Sequence, residues 1–267
     1  MDAQDISADS SGGISAGKPE LWVGFVDQFP ADLRAWVYHE LLSDEERARH
    51  DRYRHERDRH LHLTARLMTR TILSRCVPDV PPRDWKFCPG PHGKPAITGP
   101  ESPAGRWHFN VTHTEGVVVL AVSEGAAVGV DVERVDRHTN FEGLARRFFA
   151  AEEAAAIEAA DESRRAALFY RIWTLKEAYV KAIGKGLAHP LDAFWFDPPD
   201  RFEPSPRLIV KTGENAAHFE PAWQARVSQA GPAGEWVVST VAAADAMSQN
   251  QDAAEWPIQP FRFGEMV

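Results

Sequence analysis

Two short segments hold the side chains best suited to chemistry on a charged substrate: Gly129-Val130-Asp131-Val132-Glu133 and Trp173-Thr174-Leu175-Lys176-Glu177-Ala178-Tyr179-Val180-Lys181. The first alternates as a strand does, with Val128, Val130 and Val132 on one face and Gly129, Asp131 and Glu133 on the other. The two carboxylates then share a face at roughly 7 Å along the strand, a gap that two side chains can close onto one ion. An oxygen-only ligand set suits Mg²⁺ or Mn²⁺ rather than zinc, and Mg²⁺ completes its shell with water and substrate phosphates. The second segment reads as the end of a helix from about Ser163 to Ile183, with Gly184 or Gly186 as its stop. Trp173, Glu177 and Lys181 follow at i, i+4 and i+8 and form one stripe. Three acids and a lysine suit chemistry on a phosphate. Taken singly, each segment also has a plainer reading: a strand with a solvated face, and a surface Glu–Lys pair worth a few tenths of a kcal/mol.

Other elements must position these groups. Trp107-His108-Phe109-Asn110-Val111-Thr112-His113-Thr114-Glu115-Gly116 ends a strand in turn-prone residues, and the apolar run Val117 to Val122 follows. A Glu124-Gly125 turn then leads to the acidic strand, so a hairpin is predicted, with Thr112 and His113 near a strand end. Both could donate a hydrogen bond to a phosphate oxygen; a turn histidine without a role is the alternative. Upstream, Arg47, Arg49, Arg52, Arg54, Arg57, Arg59, Arg66, Arg70 and Arg75 crowd one region. Ser43-Asp44-Glu45-Glu46 is a capping-box pattern opening a first helix. A second helix is predicted from about Glu56 to Cys76, burying Leu63, Leu67 and Leu73. Arginine grips phosphate with a fork of donors, although part of such a cluster simply coats a solvated helix face.

In order along the chain, Gly93-Lys94-Pro95, Phe109-Asn110-Val111-Thr112-His113-Thr114, Gly129 through Glu133 and Trp173 through Lys181 resemble the motifs of the phosphopantetheinyl transferase family, in its larger Sfp-like type. Thr112 and Thr114 stand where serines are usual, and Glu115 is an added residue in the turn. The resemblance implies two similar α/β halves (an α/β, or α+β, fold) forming a pseudo-dimer within one chain, with the active site in the cleft between them. It implies Mg²⁺-dependent transfer of the 4′-phosphopantetheine arm of coenzyme A to a serine of an apo acyl or peptidyl carrier protein, as a holo-[acyl-carrier-protein] synthase does, releasing adenosine 3′,5′-bisphosphate. Asp131, Glu133 and Glu177 match the metal-site acids, with Mn²⁺ as a substitute ion. Glu177 is also the candidate base, and Lys181 offsets charge on the leaving phosphate. Lys94, Thr112, His113 and Lys181 match coenzyme A contacts, and Arg57 the contact to its 3′-phosphate. Glu46 stands where some relatives carry a lysine.

Composition sets the frame. The 267 residues are 43% hydrophobic, enough to bury a core in one large or two small domains. A net charge of −9 argues against general nucleic-acid binding despite the arginines. Two cysteines, Cys76 and Cys88, make no disulfide framework and fit a reducing cytoplasm. No apolar stretch approaches a membrane span, and Met1 to Glu20 lacks a signal-peptide core. Residues 1–19 are expected to be a disordered tail, 20–133 and 134–244 the two halves, and 245–267 a loosely packed extension in which Trp256, Ile258 and Phe261 could dock. A monomer is expected. Two other readings compete: an enzyme acting on a different phosphate ester, and a non-catalytic carrier-protein binder.

Overall fold

The computed structural model describes residues 18–90, 92–100, 105–136, 140–186, 189–211, 217–220, 222–244 and 256–263. The tail expected over 1–19 falls outside them except for its last two residues. The first half runs β1 (Glu20–Phe25), α1 (Ala31–Trp36), α2 (Asp44–Asp51), α3 (Glu56–Cys76), the hairpin β2 (Lys86–Pro89) and β3 (Pro95–Gly99), then β4 (Trp107–Thr114) and β5 (Val117–Glu124). The second runs β6 (Val128–Arg134), α4 (Phe141–Phe148), α5 (Ala151–Ala159), α6 (Glu162–Ile183), β7 (Phe194–Asp197), β8 (Arg207–Lys211), β9 (Ala217–Phe219), β10 (Trp223–Ala230) and β11 (Trp236–Ala243), and β12 (Ile258–Pro260) closes the chain.

Two sheets organise the molecule, in strand order β12-β1-β5-β4 and β10-β11-β6. They face each other across a core of Leu21, Val23, Val119 and Ala121 against Val128, Val130, Val132 and Val238. The far face of the first sheet packs on α3 through Trp22, Leu120 and Val122 against Leu67, Met68 and Ile72. The far face of the second lies under α6, where Val241 and Ala225 meet Leu175, Ala178 and Ala182. The two α/β halves are thus stacked as helix, sheet, sheet, helix.

The acidic strand is therefore buried on both faces, and the solvated-face reading fails. β6 also takes its ladder from β11, with Asp131 opposite Ser239, and not from β5. Hydrogen bonding places it with the second half, although the sequence-based division at 133/134 kept it in the first. The chain after Trp256 departs from loose packing: β12 adds a parallel strand to β1, and Phe261 and Phe263 are buried beside Phe29. Among the described residues no helix is long and apolar enough to cross a membrane.

One glycine sets how closely α6 approaches. A Cβ on Gly129 would lie 2.1 Å from Ala178 O and 2.4 Å from Ala182 N, so only a residue without a side chain lets the helix backbone rest on β6. Gly129→Ala should lower the unfolding free energy in urea by about 3 kcal/mol, as overpacking against backbone that cannot turn aside. An unfolding midpoint equal to that of the natural chain would contradict the contact.

Candidate active site

The helix that carries Glu177 and Lys181 runs Glu162–Ile183 and stops at Gly184, whose φ of 69° is the left-handed cap its lack of a Cβ permits. Resting on Gly129, it brings Lys181 to the acidic strand. Lys181 Nζ lies 2.5 Å from Asp131 Oδ1 and donates to Thr112 Oγ1 at 3.1 Å. Thr112 in turn donates to Asp131 Oδ1 at 3.1 Å. From the first sheet, Asn110 Oδ1 accepts the Val130 N–H at 2.8 Å, which fixes β4 against β6 and brings Thr112 opposite Asp131. Thr114 Oγ1 stands 3.5 Å from Glu133 Oε2.

Two carboxylate oxygens are left over. Asp131 Oδ2 and Glu177 Oε1 are buried without a hydrogen-bond partner, on a strand and a helix that Lys181 joins. The cost shows in the proton equilibria. Burial, then the Asp131 charge, raises the Glu133 carboxyl to about 7, with Glu177 adding to the rise and Lys181 opposing it. Glu177 is also raised by burial and by Asp131. Burial raises Asp131 as well, against the pull of Lys181. Three acids that repel one another in a partly dry site want a cation.

No three of His, Cys, Asp and Glu among the described residues form a ready-made cage. A hard cation does not need one. Mg²⁺ is commonly held by one or two carboxylates and completed by water and substrate phosphate oxygens, and two orphaned oxygens beside a third acid fit that pattern.

Of the sequence-predicted residues, the structure thus brings together Asp131, Glu177, Lys181 and Thr112, with Glu133 coupled through its charge. His113 follows on β4, one residue from the end of the strand as expected, and is exposed. Partial desolvation of the imidazole and then Lys181 lower its pKa, Asp58 opposes this, and Arg49 adds to it. Charges on α2, α3 and α6 therefore all act on this β4 histidine. Lys94 is turned to structure: Nζ donates to Val128 O at 2.8 Å and Ala182 O at 3.4 Å, and burial lowers it to about 8. It ties the start of β6 to the end of α6.

Arg57 stands apart, its exposed side chain 3.4 Å from Asp58. Other members of the arginine cluster line a cavity of about 520 Å³: Arg49, Arg52, Arg66 and Arg70 with Lys86, Trp85 and Phe87. Glu46, the capping-box acid, neutralises two of them, at 2.8 Å from Arg70 Nη2 and 3.4 Å from Arg66 Nε. Arg70 is 3% exposed and also holds Trp85 O, so it is part of the wall. Arg49 and Arg52 remain, one helical turn apart, and that i, i+3 spacing on a capped helix was the signal available for them. His62, buried with both ring nitrogens unpartnered and lowered to about 3 chiefly by burial, neighbours Arg49 and was not foreseen.

Comparison with known proteins decides the family. The 4′-phosphopantetheinyl transferase superfamily model matches residues 127–241, and a model of the 4′-phosphopantetheinyl transferase N-terminal region matches residues 30–125. HetI of Nostoc sp., a 4′-phosphopantetheinyl transferase, is 33% identical over 63% of this chain and 69% of its own. The chain belongs to the 4′-phosphopantetheinyl transferase superfamily. A Synechocystis sp. protein assigned by name to these transferases is 35% identical over 66% of this chain and 68% of its own, and Sfp of Bacillus subtilis is 32% identical over 59% and 66%. The Asp131–Lys181 site lies within the region that the superfamily model matches.

The raised acids give a pH dependence with a definite sign. The folded chain keeps a proton on Glu133 up to about 7, whereas the ordinary value is 4.5. Between these values the folded state binds more protons than the unfolded state, so stability falls as pH rises. Urea unfolding of the metal-free protein should show this loss from pH 4.5 to pH 7, and Glu133→Gln should flatten it. An unchanged slope in Glu133→Gln would refute the assignment.

Proposed function

We propose that this transferase moves the 4′-phosphopantetheine arm of coenzyme A onto a serine of an apo acyl or peptidyl carrier protein, in the manner of a holo-[acyl-carrier-protein] synthase. The observation that carries the reading is the pair of unpartnered oxygens, Asp131 Oδ2 and Glu177 Oε1, beside Lys181. We assign Asp131, Glu133 and Glu177 as holders of Mg²⁺, for which Mn²⁺ can substitute. A divalent ion held there would supply positive charge against the pyrophosphate and favour in-line attack.

The chain's own groups do the rest. Lys181, 29% exposed at its side chain, turns from Asp131 to a phosphate oxygen and balances charge on the departing adenosine 3′,5′-bisphosphate. Thr112 and His113 donate to neighbouring phosphate oxygens. The serine Oγ attacks the phosphorus bearing the pantetheine arm, the bridging P–O bond breaks, and the Glu177 carboxylate takes the hydroxyl proton. Burial and the Asp131 charge make Glu177 more basic than an ordinary glutamate, while a bound cation draws its pKa down; we rank it a ligand first and the base second. Arg49 and Arg52, facing the aromatic cavity, replace Arg57 as partners of the coenzyme's 3′-phosphate. Folded as two halves around its own cleft, the chain works as a monomer in the cytoplasm.

Intact mass after incubation of apo carrier, coenzyme A and Mg²⁺ with the protein tests this. The carrier should gain a phosphopantetheine adduct, EDTA should abolish it, and Asp131→Ala should slow it about 10²–10³-fold. Absence of an adduct across acyl, polyketide and peptidyl carriers would defeat the reading. Comparison of coenzyme A with its 3′-dephospho form checks the arginines. Arg49→Gln should raise KM for coenzyme A alone, and Arg57→Ala should leave the ratio of the two substrates unchanged.

A further inference from the structure

The lysine next to Glu177 does not belong to the cleft. Lys176 and Glu153 are both fully buried, with Lys176 Nζ 2.6 Å from Glu153 Oε2. The same ammonium donates to Leu191 O and Phe194 O, each at 2.7 Å, and rests over the Phe194 ring. Glu153 Oε1 accepts from Phe196 N at 3.2 Å and Oε2 from Ala150 N at 3.3 Å. One dry ion pair thus binds α6 to the start of α5, to the segment before β7 and to β7 itself. A buried pair is weak evidence for net stability, since hydrophobic substitutes often serve as well. What this pair supplies is direction: three polar contacts fix where the Lys176 side chain points, and two more hold Glu153 beside it.

We propose that Glu153 and Lys176 are positioning residues of the transfer reaction, holding the rotation of α6 about its axis and so the placement of Glu177 and Lys181. Adjacent helical residues are set about 100° apart by the 3.6-residue turn, so Lys176 and Glu177 rotate as one body. With side-chain heads roughly 6 Å from the axis, a turn of about 10° moves the Glu177 carboxylate by roughly 1 Å. A displacement of that size at a reacting group can cost 10²-fold in rate. Thr174 Oγ1 to Ser239 Oγ at 2.7 Å, the bare Gly129 and the apolar seam of Leu175, Ala178 and Ala182 seat α6 on the sheet, and the Lys176–Glu153 pair adds a polar anchor from the same helix to α5 and β7. The inference rests on the transfer reaction proposed above.

The experiment compares Lys176→Met with the double variant Glu153→Gln/Lys176→Met, which leaves no unpaired buried charge. The double variant should melt close to the natural chain while kcat for carrier modification stays about 10²-fold down and KM for coenzyme A changes less than about threefold. Its crystal structure should show α6 rotated and Glu177 displaced from Asp131. Recovery of both melting temperature and kcat in the double variant, or an unmoved Glu177, overturns the proposal. If the natural chain itself modifies no carrier, the functional reading has failed, and the position of Glu177 in the variant's crystal structure still decides the positioning role.

Discussion

The approach of a helix to a strand at Gly129 governs everything the site can do. Asp131 is two residues along β6, and Lys181 and Glu177 lie on the helix face laid over it. A methyl group at Gly129 would lift α6 away from the strand, and the Lys181–Asp131 contact at 2.5 Å would open with it. The close approach is stabilised by the apolar seam of Leu175, Ala178 and Ala182 on Val241. It also produces the electrostatic tension of the site, because it buries carboxylates that have too few partners of their own. Packing and chemistry share one cause here.

The second constraint is the meeting of the two halves. β4 and β6 belong to different sheets, and the Asn110 side chain supplies the hydrogen bond to Val130 N that a ladder would otherwise make. That single amide sets Thr112 level with Asp131. Lys94 adds a further tie, bridging the start of β6 and the end of α6.

Local signals made much of this legible in the sequence. The capping box at Ser43, the helix Glu56–Cys76 and the glycine stop after Ile183 are read from neighbouring residues and occur as expected. Alternation set Asp131 and Glu133 on one face for the same reason. Illegible features depend on partners distant in the chain. β6 pairs with β11 more than a hundred residues onward in sequence, and β12 is three residues whose only strand signal is the edge of β1. Charge alone could not sort the arginines or lysines. Arg49 and Arg70 look alike until burial and Glu46 make one of them wall, Arg57 lies outside the cavity altogether, and Lys176 and Lys181 differ by where five residues of helix turn them.

The central claim is that Asp131, Glu133 and Glu177 hold one divalent cation against the substrate's pyrophosphate. Crystals grown with coenzyme A and Mn²⁺ test it most directly, through the manganese anomalous signal. The account predicts a single peak within ligand distance of Asp131 and Glu177 and of the pyrophosphate oxygens, with Glu133 direct or one water away. A peak elsewhere in the cleft, or coenzyme A bound in the cavity with no ion at these acids, would contradict it.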